Sequence, residues 1–298
     1  MSLTGRVVKV LNQWYQVETT EGTLPARPRG RLRRGEEGAP VAGDLVELWR
    51  ASDGTARIER LLPRRNRLER PPVANVDLLL VVASWVEPRV VPELVDRALV
   101  EAERQSIPAA LVVNKVDRIA GRPELLDEAR RFLEAYRRVG YPALFTSARD
   151  GTGLAELRTL LRGSLVVLAG ASGVGKSSLL NALIPGARLR TGMLSRAERG
   201  THTTRHVELL PMQGGGWVAD TPGFVRLDPP ALAEPEDLRR YFPEFREPAA
   251  LCRFRDCLHL EEPECGVRRA VEQGEIDAGR YARYRGLLEE LRAVAERR

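Results

Sequence analysis

The chain has almost no lysine. Of 47 basic residues only Lys9, Lys115 and Lys176 are lysine, set against 41 acidic residues and a net charge of +6. A general preference for arginine is one reading of the whole imbalance. Planar guanidinium groups also suit a phosphate-rich partner. Cysteine is nearly missing too: Cys252, Cys257 and Cys265 are the only three. An odd number crowded into one short stretch excludes a disulfide framework and fits a reducing, cytoplasmic setting. No apolar run approaches the ~20 residues that span a bilayer. The longest is Leu78–Val86, and Met1–Gly30 carries no apolar signal core, so neither a membrane nor a secretory route is expected. No internal repeat is evident, which excludes a solenoid. With 43% hydrophobic and 30% charged residues over 298 positions, wholesale disorder is excluded and two or three domains fit.

Residues 1–66 read as all-β. Arg6–Leu11, Trp14–Thr19, Asp44–Trp49 and Ala56–Leu61 are short β-branched or alternating runs separated by glycine-containing breaks. Five or so strands in this length predict a small closed barrel of the oligonucleotide-binding (OB) type. Within it Arg27, Arg29, Arg31, Arg33 and Arg34 form a basic loop or edge strand. That is either a solvated face or the place where a nucleic-acid backbone runs. Arg64, Arg65, Arg67 and Arg70, leading into Pro71-Pro72, read as a linker.

Over 67–230 the pattern becomes alternating strand and helix. Apolar runs at Leu78–Ala83, Ala109–Val113, Pro142–Phe145 and Leu165–Ala169 alternate with helical stretches at Pro92–Gln105, Glu124–Arg138 and Leu154–Leu161. This predicts a parallel sheet with helices on both faces. Residues 231–298 are rich in proline and charge. They end in a helix whose apolar face comprises Ile276, Tyr281, Tyr284, Leu288 and Leu291, so a small helical domain is expected.

Gly170-Ala171-Ser172-Gly173-Val174-Gly175-Lys176-Ser177 follows the strand Leu165–Ala169 and opens the helical run Ser178–Leu183. This is G-x-x-x-x-G-K-S in the strand–loop–helix setting that its mechanism needs. Backbone amides of Gly170, Ser172, Gly173, Val174 and Gly175 would cradle phosphate oxygens, with Ser177 and Ser178 at the helix start. Lys176 would reach the β- and γ-phosphates, and the Ser177 hydroxyl would bind Mg²⁺. From this composition, roughly 0.002 chance matches are expected in the whole chain. Asp220-Thr221-Pro222-Gly223 follows the strand Trp217–Ala219. Asp220 can hold the Mg²⁺ through water, while the Gly223 amide can bond the γ-phosphate.

Asn114-Lys115-Val116-Asp117 follows strand Ala109–Val113 and resembles the N-K-x-D guanine motif of Ras-like GTPases. Thr146-Ser147-Ala148 resembles the accompanying S-A motif, which bonds the guanine carbonyl through the backbone. The Asp117 carboxylate can accept from the ring N–H and exocyclic amine of guanine. Adenine offers no such pair, so GTP and GDP are the expected nucleotides. The order is permuted, since the base motif precedes the phosphate loop. The local strand–loop units survive that change.

Phe224 stands where Ras-like enzymes carry a water-orienting glutamine, so another residue must serve or turnover is slow. His202 is the candidate to orient or deprotonate the water. Thr203 or Thr204 would supply the switch hydroxyl to Mg²⁺. Further on, Cys252, Cys257, His259 and Cys265 combine all three thiols with one of three histidines. Three thiolates and an imidazole make a closed, structural Zn²⁺ site. The polar surroundings suggest that the metal supplies the folding energy there.

Together, the barrel, the motif order and the Cys/His cluster resemble the circularly permuted, ribosome small subunit-dependent GTPases (the RsgA/YjeQ family). Arg70-Pro-Pro-Val-Ala-Asn75-Val-Asp77 and Cys252-Arg-Phe-Arg-Asp-Cys257 look like that family as well. Its usual His-Thr-Thr-Thr is His202-Thr-Thr-Arg205 here, which leaves open whether Thr203 or Thr204 binds magnesium. The resemblance implies a monomeric factor that binds the 30S subunit and 16S rRNA late in assembly and leaves on GTP hydrolysis. A P-loop kinase, a non-hydrolysing RNA-binding protein and a large-subunit GTPase are the alternatives.

Overall fold

Alternation of apolar and polar residues builds the N-terminal barrel. The computed structural model describes residues 2–11, 14–29, 32, 38–50, 55–184, 207–220, 232 and 234–297. Strands β1 (Ser2–Leu11), β2 (Trp14–Thr19), β3 (Gly22–Pro28), β4 (Leu45–Arg50) and β5 (Ala56–Leu61) pair in the order β1-β2-β3-β5-β4, and β4 returns to β1. The closed circuit leaves no free edge. Its interior is Val7, Tyr15, Val17, Ala26, Val46, Leu48, Ile58 and Leu61.

The segment expected to be a linker is a structured joint. Strands β6 (Arg67–Glu69) and β7 (Pro72–Ala74) form a hairpin whose Leu68 and Val73 enter the core of the next domain. Two of its arginines, Arg64 and Arg65, are neutralised by residues distant in sequence, while Arg67 pairs with the neighbouring Glu69. Arg64 Nε donates to the fully buried Asp44 at 2.7 Å, and Arg65 Nη2 donates to Asp77 at 2.6 Å. Asn75, also buried, accepts from the Arg65 amide and donates to the Gly43 carbonyl. A Cβ on Gly43 would stand 2.0 Å from the Ala74 carbonyl oxygen, so only glycine allows this approach.

Next comes the expected α/β unit. Strands β8 (Leu78–Ser84), β9 (Ala109–Asn114), β10 (Ala143–Phe145), β11 (Leu165–Ala169), β12 (Glu208–Pro211) and β13 (Trp217–Asp220) lie in the order β10-β9-β8-β11-β13-β12. All neighbours are parallel except the antiparallel β12. Both faces are covered, which explains the unbroken apolar runs. Along β8, Leu79 and Val81 face α1 (Pro92–Arg104) and α2 (Pro123–Val139). Leu78, Leu80 and Val82 face α3 (Leu154–Leu161) and α4 (Lys176–Leu183). The barrel docks on the β12 edge, where Lys9 pairs with Glu208 at 2.7 Å and Trp217 donates to Glu18 at 3.1 Å.

The C-terminal region contains α5 (Arg246–Ala249), α6 (Gly266–Glu272) and α7 (Ala278–Ala295). It has more apolar core than its composition suggests. Leu238, Phe242, Phe245, Val267, Tyr284, Leu287, Leu288 and Leu291 are buried together, and Val100 of α1 joins them. The expectation that metal alone supplies the folding energy is therefore corrected: a hydrophobic cluster underlies the cysteine loop. Ile276, Tyr284, Leu288 and Leu291 of the expected apolar face are buried, as is Leu287, while Tyr281 is half-buried. Among the described residues, no helix is long and apolar enough to cross a membrane.

Candidate functional site

Parallel strands end their loops on one edge of a sheet, and that edge is where α/β proteins bind nucleotides. Asn114 ends β9, Thr146 follows β10, Gly170 follows β11 and Asp220 ends β13, so all four motifs reach the same edge. Polar contacts then fix them to one another. Asn114 Nδ2 donates to the Val174 carbonyl at 3.0 Å, and Thr146 Oγ1 donates to Asn114 Oδ1 at 3.3 Å. Lys115 Nζ donates to the Gly173 carbonyl at 2.6 Å and the Glu87 carbonyl at 2.5 Å, laying its stem across the phosphate loop. Ser147 Oγ donates to Asp117 Oδ1 at 2.8 Å and leaves Oδ2 open, apart from Arg149 at 4.0 Å. A cleft of about 270 Å³ lies between these groups, lined by Asn114, Lys115, Asp117, Ala148, Gly175 and Ser178.

The arrangement can read a purine edge and hold its phosphates side by side. Asp117 presents a carboxylate oriented by a neighbouring hydroxyl, suited to two N–H donors. The loop Gly170–Gly175 leads into α4, whose first amides have no helical partner and are free to bond phosphate oxygens. Gly175 sits at φ +99°, and a Cβ there would meet Asn114 Nδ2 at 2.3 Å. The glycine therefore serves both the loop turn and the seating of the base motif. Lys176 Nζ donates to the Gly170 and Ala171 carbonyls at 2.8 Å each. Ser172 and Ser177 lie in the same loop and helix start.

Burial pushes the Lys176 ammonium down to about 8. An incoming phosphate favours the charged form, so nucleotide binding takes up a proton above that pH. Affinity for GDP is expected to be level below pH 8 and to fall about tenfold per pH unit above it, until the value in the complex is reached. Titration of a fluorescent GDP analogue across this range checks it. A flat profile would mean that Lys176 does not engage the phosphates.

Several expected site residues lie outside the described residues: His202, Thr203, Thr204, Arg205, Gly223 and Phe224, together with the side chain of Asp220. Of the barrel arginines, Arg27 is exposed on β3 and Arg29 pairs with Glu59 at 2.8 Å, while Arg31, Arg33 and Arg34 also lie outside.

The cysteine loop is a second site. The ligand atoms of Cys252, Cys257, His259 and Cys265 all lie within 4.8 Å of one another. Cys252 Sγ is 3.9 Å from Cys265 Sγ, and His259 Nδ1 is 3.6 and 3.5 Å from these two sulfurs. A tetrahedron with Zn–S of ~2.3 Å and Zn–N of ~2.0 Å has edges of about 3.8 and 3.5 Å, so the donor set fits zinc. Burial pushes the Cys257 thiol up to about 12 and His259 down to about 4. Zinc uptake would therefore displace thiol protons, while the imidazole is already neutral. The Gly266 and Arg268 amides donate to Cys252 and Cys265 at 3.3 and 3.4 Å.

Outer contacts that the sequence reading missed hold this loop. Glu262 accepts from the Leu258 and Leu260 amides at 2.7 Å each. Tyr281 and Tyr284 donate to the His259 and Leu258 carbonyls. The Tyr-x-x-Tyr spacing on the last helix was the available signal, and it read simply as core. Also missed was a buried ionic cluster between domains. Arg280 of α7 donates to Asp96 of α1 at 2.5 Å and to Glu244, while Arg283 and Tyr136 donate to the same Asp96.

Known proteins resemble this chain over nearly its whole length. A family model described as the RsgA GTPase matches residues 61–229, and one for the RsgA N-terminal domain matches residues 4–58. The chain is 44% identical over 289 residues to the small ribosomal subunit biogenesis GTPase RsgA of Geobacillus kaustophilus, covering 97% of each chain. It is 41% identical over 297 residues to the one from Caldanaerobacter subterraneus, covering 99% of this chain and 98% of that one. The crystal structure of YjeQ from Thermotoga maritima superposes with a TM-score of 0.86 at 39% identity, covering 98% of this chain and 99% of that one. That of YloQ, a circularly permuted GTPase, does so with 0.83 at 34%, covering 98% and 96%. With its base motif ahead of its phosphate loop and both gathered at one sheet edge, the chain belongs to the RsgA GTPase family.

Proposed function

We propose that the protein hydrolyses GTP in the biogenesis of the small ribosomal subunit, binding 16S rRNA and leaving the 30S particle once GTP is cleaved. The observation that carries this is the bonding of Asn114 and Lys115 to the Val174 and Gly173 carbonyls, which joins base reader and phosphate loop across the permuted order. In this reading Asp117 recognises guanine, and Ser147 and Ala148 complete the base pocket. Gly170–Ser178 bind the phosphates, and Ser177, Asp220 and Thr203 or Thr204 hold Mg²⁺. His202 orients the attacking water and Gly223 senses the γ-phosphate. Residues 1–66, 67–230 and 231–298 act as barrel, GTPase and zinc domains of a cytoplasmic monomer.

GTP hydrolysis by purified protein, with small subunits, large subunits or neither, tests this. Stimulation by small subunits alone is expected, lost in His202→Ala. No stimulation, or equal stimulation by large subunits, would sink the reading. Small-subunit affinity should be higher with a non-hydrolysable GTP analogue than with GDP, and equal affinities would remove the release step. Zinc is proposed at Cys252, Cys257, His259 and Cys265. Cys257→Ser is expected to lose stoichiometric zinc, read by colorimetric metal release, while GDP binding persists because the guanine cleft uses none of these residues. Retention of one zinc per chain would refute the assignment.

A further inference from the structure

Among the metal-ligating residues, His259 has the least ordinary backbone. Its φ is +60°, in the left-handed region that a residue with a side chain keeps only where its surroundings fix it. The peptide units from Cys257 to Leu260 are each held. Arg239 donates to the Cys257 carbonyl at 2.6 Å, Tyr284 to the Leu258 carbonyl at 2.7 Å and Tyr281 to the His259 carbonyl at 2.5 Å. Glu262 completes the set from the donor side. One of its carboxylate oxygens accepts from the Leu258 amide and the other from the Leu260 amide, at 2.7 Å each. Those are the amides immediately before and after His259.

This turn decides where the imidazole stands. With the backbone so pinned, His259 Nδ1 faces the Cys252 and Cys265 sulfurs at 3.6 and 3.5 Å, and the Phe245 ring meets the buried imidazole edge-on at 5.4 Å between centroids. The acid responsible differs from its neighbours. Glu261 and Glu264 are exposed and face Arg285 at 3.9 Å and Arg253 at 2.9 Å, which are weak surface pairs. Zn²⁺ held by three thiolates and a neutral imidazole leaves a net negative charge, so a further carboxylate turned towards the metal would be repelled. Glu262 instead spends both oxygens on backbone amides, and only a carboxylate offers two acceptors with no donor.

Resting on the proposed zinc assignment, we infer that Glu262 is a positioning residue for the metal: by clamping the amides on either side of His259, it sets the imidazole in its ligand position before zinc arrives. A ligand already in place gives up less conformational freedom when the metal binds. Removing an outer contact of this kind costs about tenfold to a hundredfold in metal affinity. Glu262 is a cleaner probe than the tyrosines. Arg280 and Arg283, interleaved with Tyr281 and Tyr284 on α7, anchor that helix to Asp96 of α1, so changes there also reach the domain joint.

The test is the Zn²⁺ affinity of the full-length, GDP-loaded protein, measured by competition with a chromogenic chelator. Glu262→Gln keeps the size and one acceptor but sets an N–H₂ against a backbone N–H, and it should bind Zn²⁺ about tenfold to a hundredfold more weakly. Tyr281→Phe, which loses the bond to the His259 carbonyl and keeps the ring, should shift affinity the same way by less. Glu264→Gln, which removes an acid paired only with Arg253 at the surface, should change little. GDP affinity should match wild type in every variant. With Co²⁺ in place of Zn²⁺, the visible d–d bands report the ligand set, and those of Glu262→Gln should move as the imidazole loses its place. Zinc affinity of Glu262→Gln within about threefold of wild type, an equal loss in Glu264→Gln, or a loss with unaltered cobalt bands would overturn the inference. Wild-type protein that holds no zinc brings down the metal assignment itself. Wild type that holds zinc no more tightly than Glu262→Gln removes only the role of Glu262.

Discussion

Asp117→Asn is expected to weaken GDP binding by about a hundredfold or more and to restore tight binding when xanthosine diphosphate is supplied. Guanine offers an N–H and an amine to the two carboxylate oxygens. Each hydrogen bond to a charged acceptor contributes about 1.5–3 kcal/mol, so the pair accounts for about 3–6 kcal/mol, or about 10²–10⁴ in affinity. Ser147 donates to Oδ1 at 2.8 Å and fixes which way the group faces. An asparagine there keeps one acceptor and turns an N–H₂ towards the guanine amine, donor against donor. Xanthine replaces that amine with a carbonyl, so the mismatch becomes a bond. Competition of unlabelled GDP and xanthosine diphosphate against a fluorescent nucleotide measures both effects. GDP affinity unchanged within about threefold would mean that Asp117 is not the base reader.

The parts of this site that could be read from the sequence are the short ones. Gly170–Ser177, Asn114–Asp117 and Thr146–Ala148 each lie within one strand–loop unit, where local chemistry dictates local geometry. Permutation rewires the connections between such units but leaves each at the carboxyl end of its strand, so the cleft assembles in the same place. The basic stretch Arg64–Arg70 misled because the partners of Arg64 and Arg65, Asp44 and Asp77, approach only in the folded chain. Strand β3 was blurred by Pro25 and the arginines around it, since composition there argues for a loop. The C-terminal core was obscured because Phe242, Phe245 and Tyr284 are dispersed among charged residues that mostly point outward. Asp96 and Arg280 lie 184 positions apart, and no periodicity links them. Only the presence of a carboxylate between Val95 and the buried Ala98 and Leu99 of α1 hinted at a partner.

That buried pair carries the other large effect. Asp96→Ala is expected to destabilise the protein by about 3 kcal/mol or more, because it strands the Arg280 charge at 1% exposure and removes the acceptor of the Tyr136 hydroxyl. Glu244 still contacts Arg280, which holds the loss near the lower end of the range of about 3–5 kcal/mol for broken buried pairs. Arg280→Met leaves Asp96 with Arg283 and Tyr136 but takes the guanidinium away from the largely buried Glu244, so its cost should be comparable, and combining the two changes should cost less than their sum. A double-mutant cycle in urea should return a coupling of about 1–3 kcal/mol. Limited proteolysis should find α7 more readily cut in Asp96→Ala, since Arg280 and Arg283 anchor that helix to α1. A loss below about 0.5 kcal/mol would mean that Val100, packed into the C-terminal core, holds the two domains together without help from the charges.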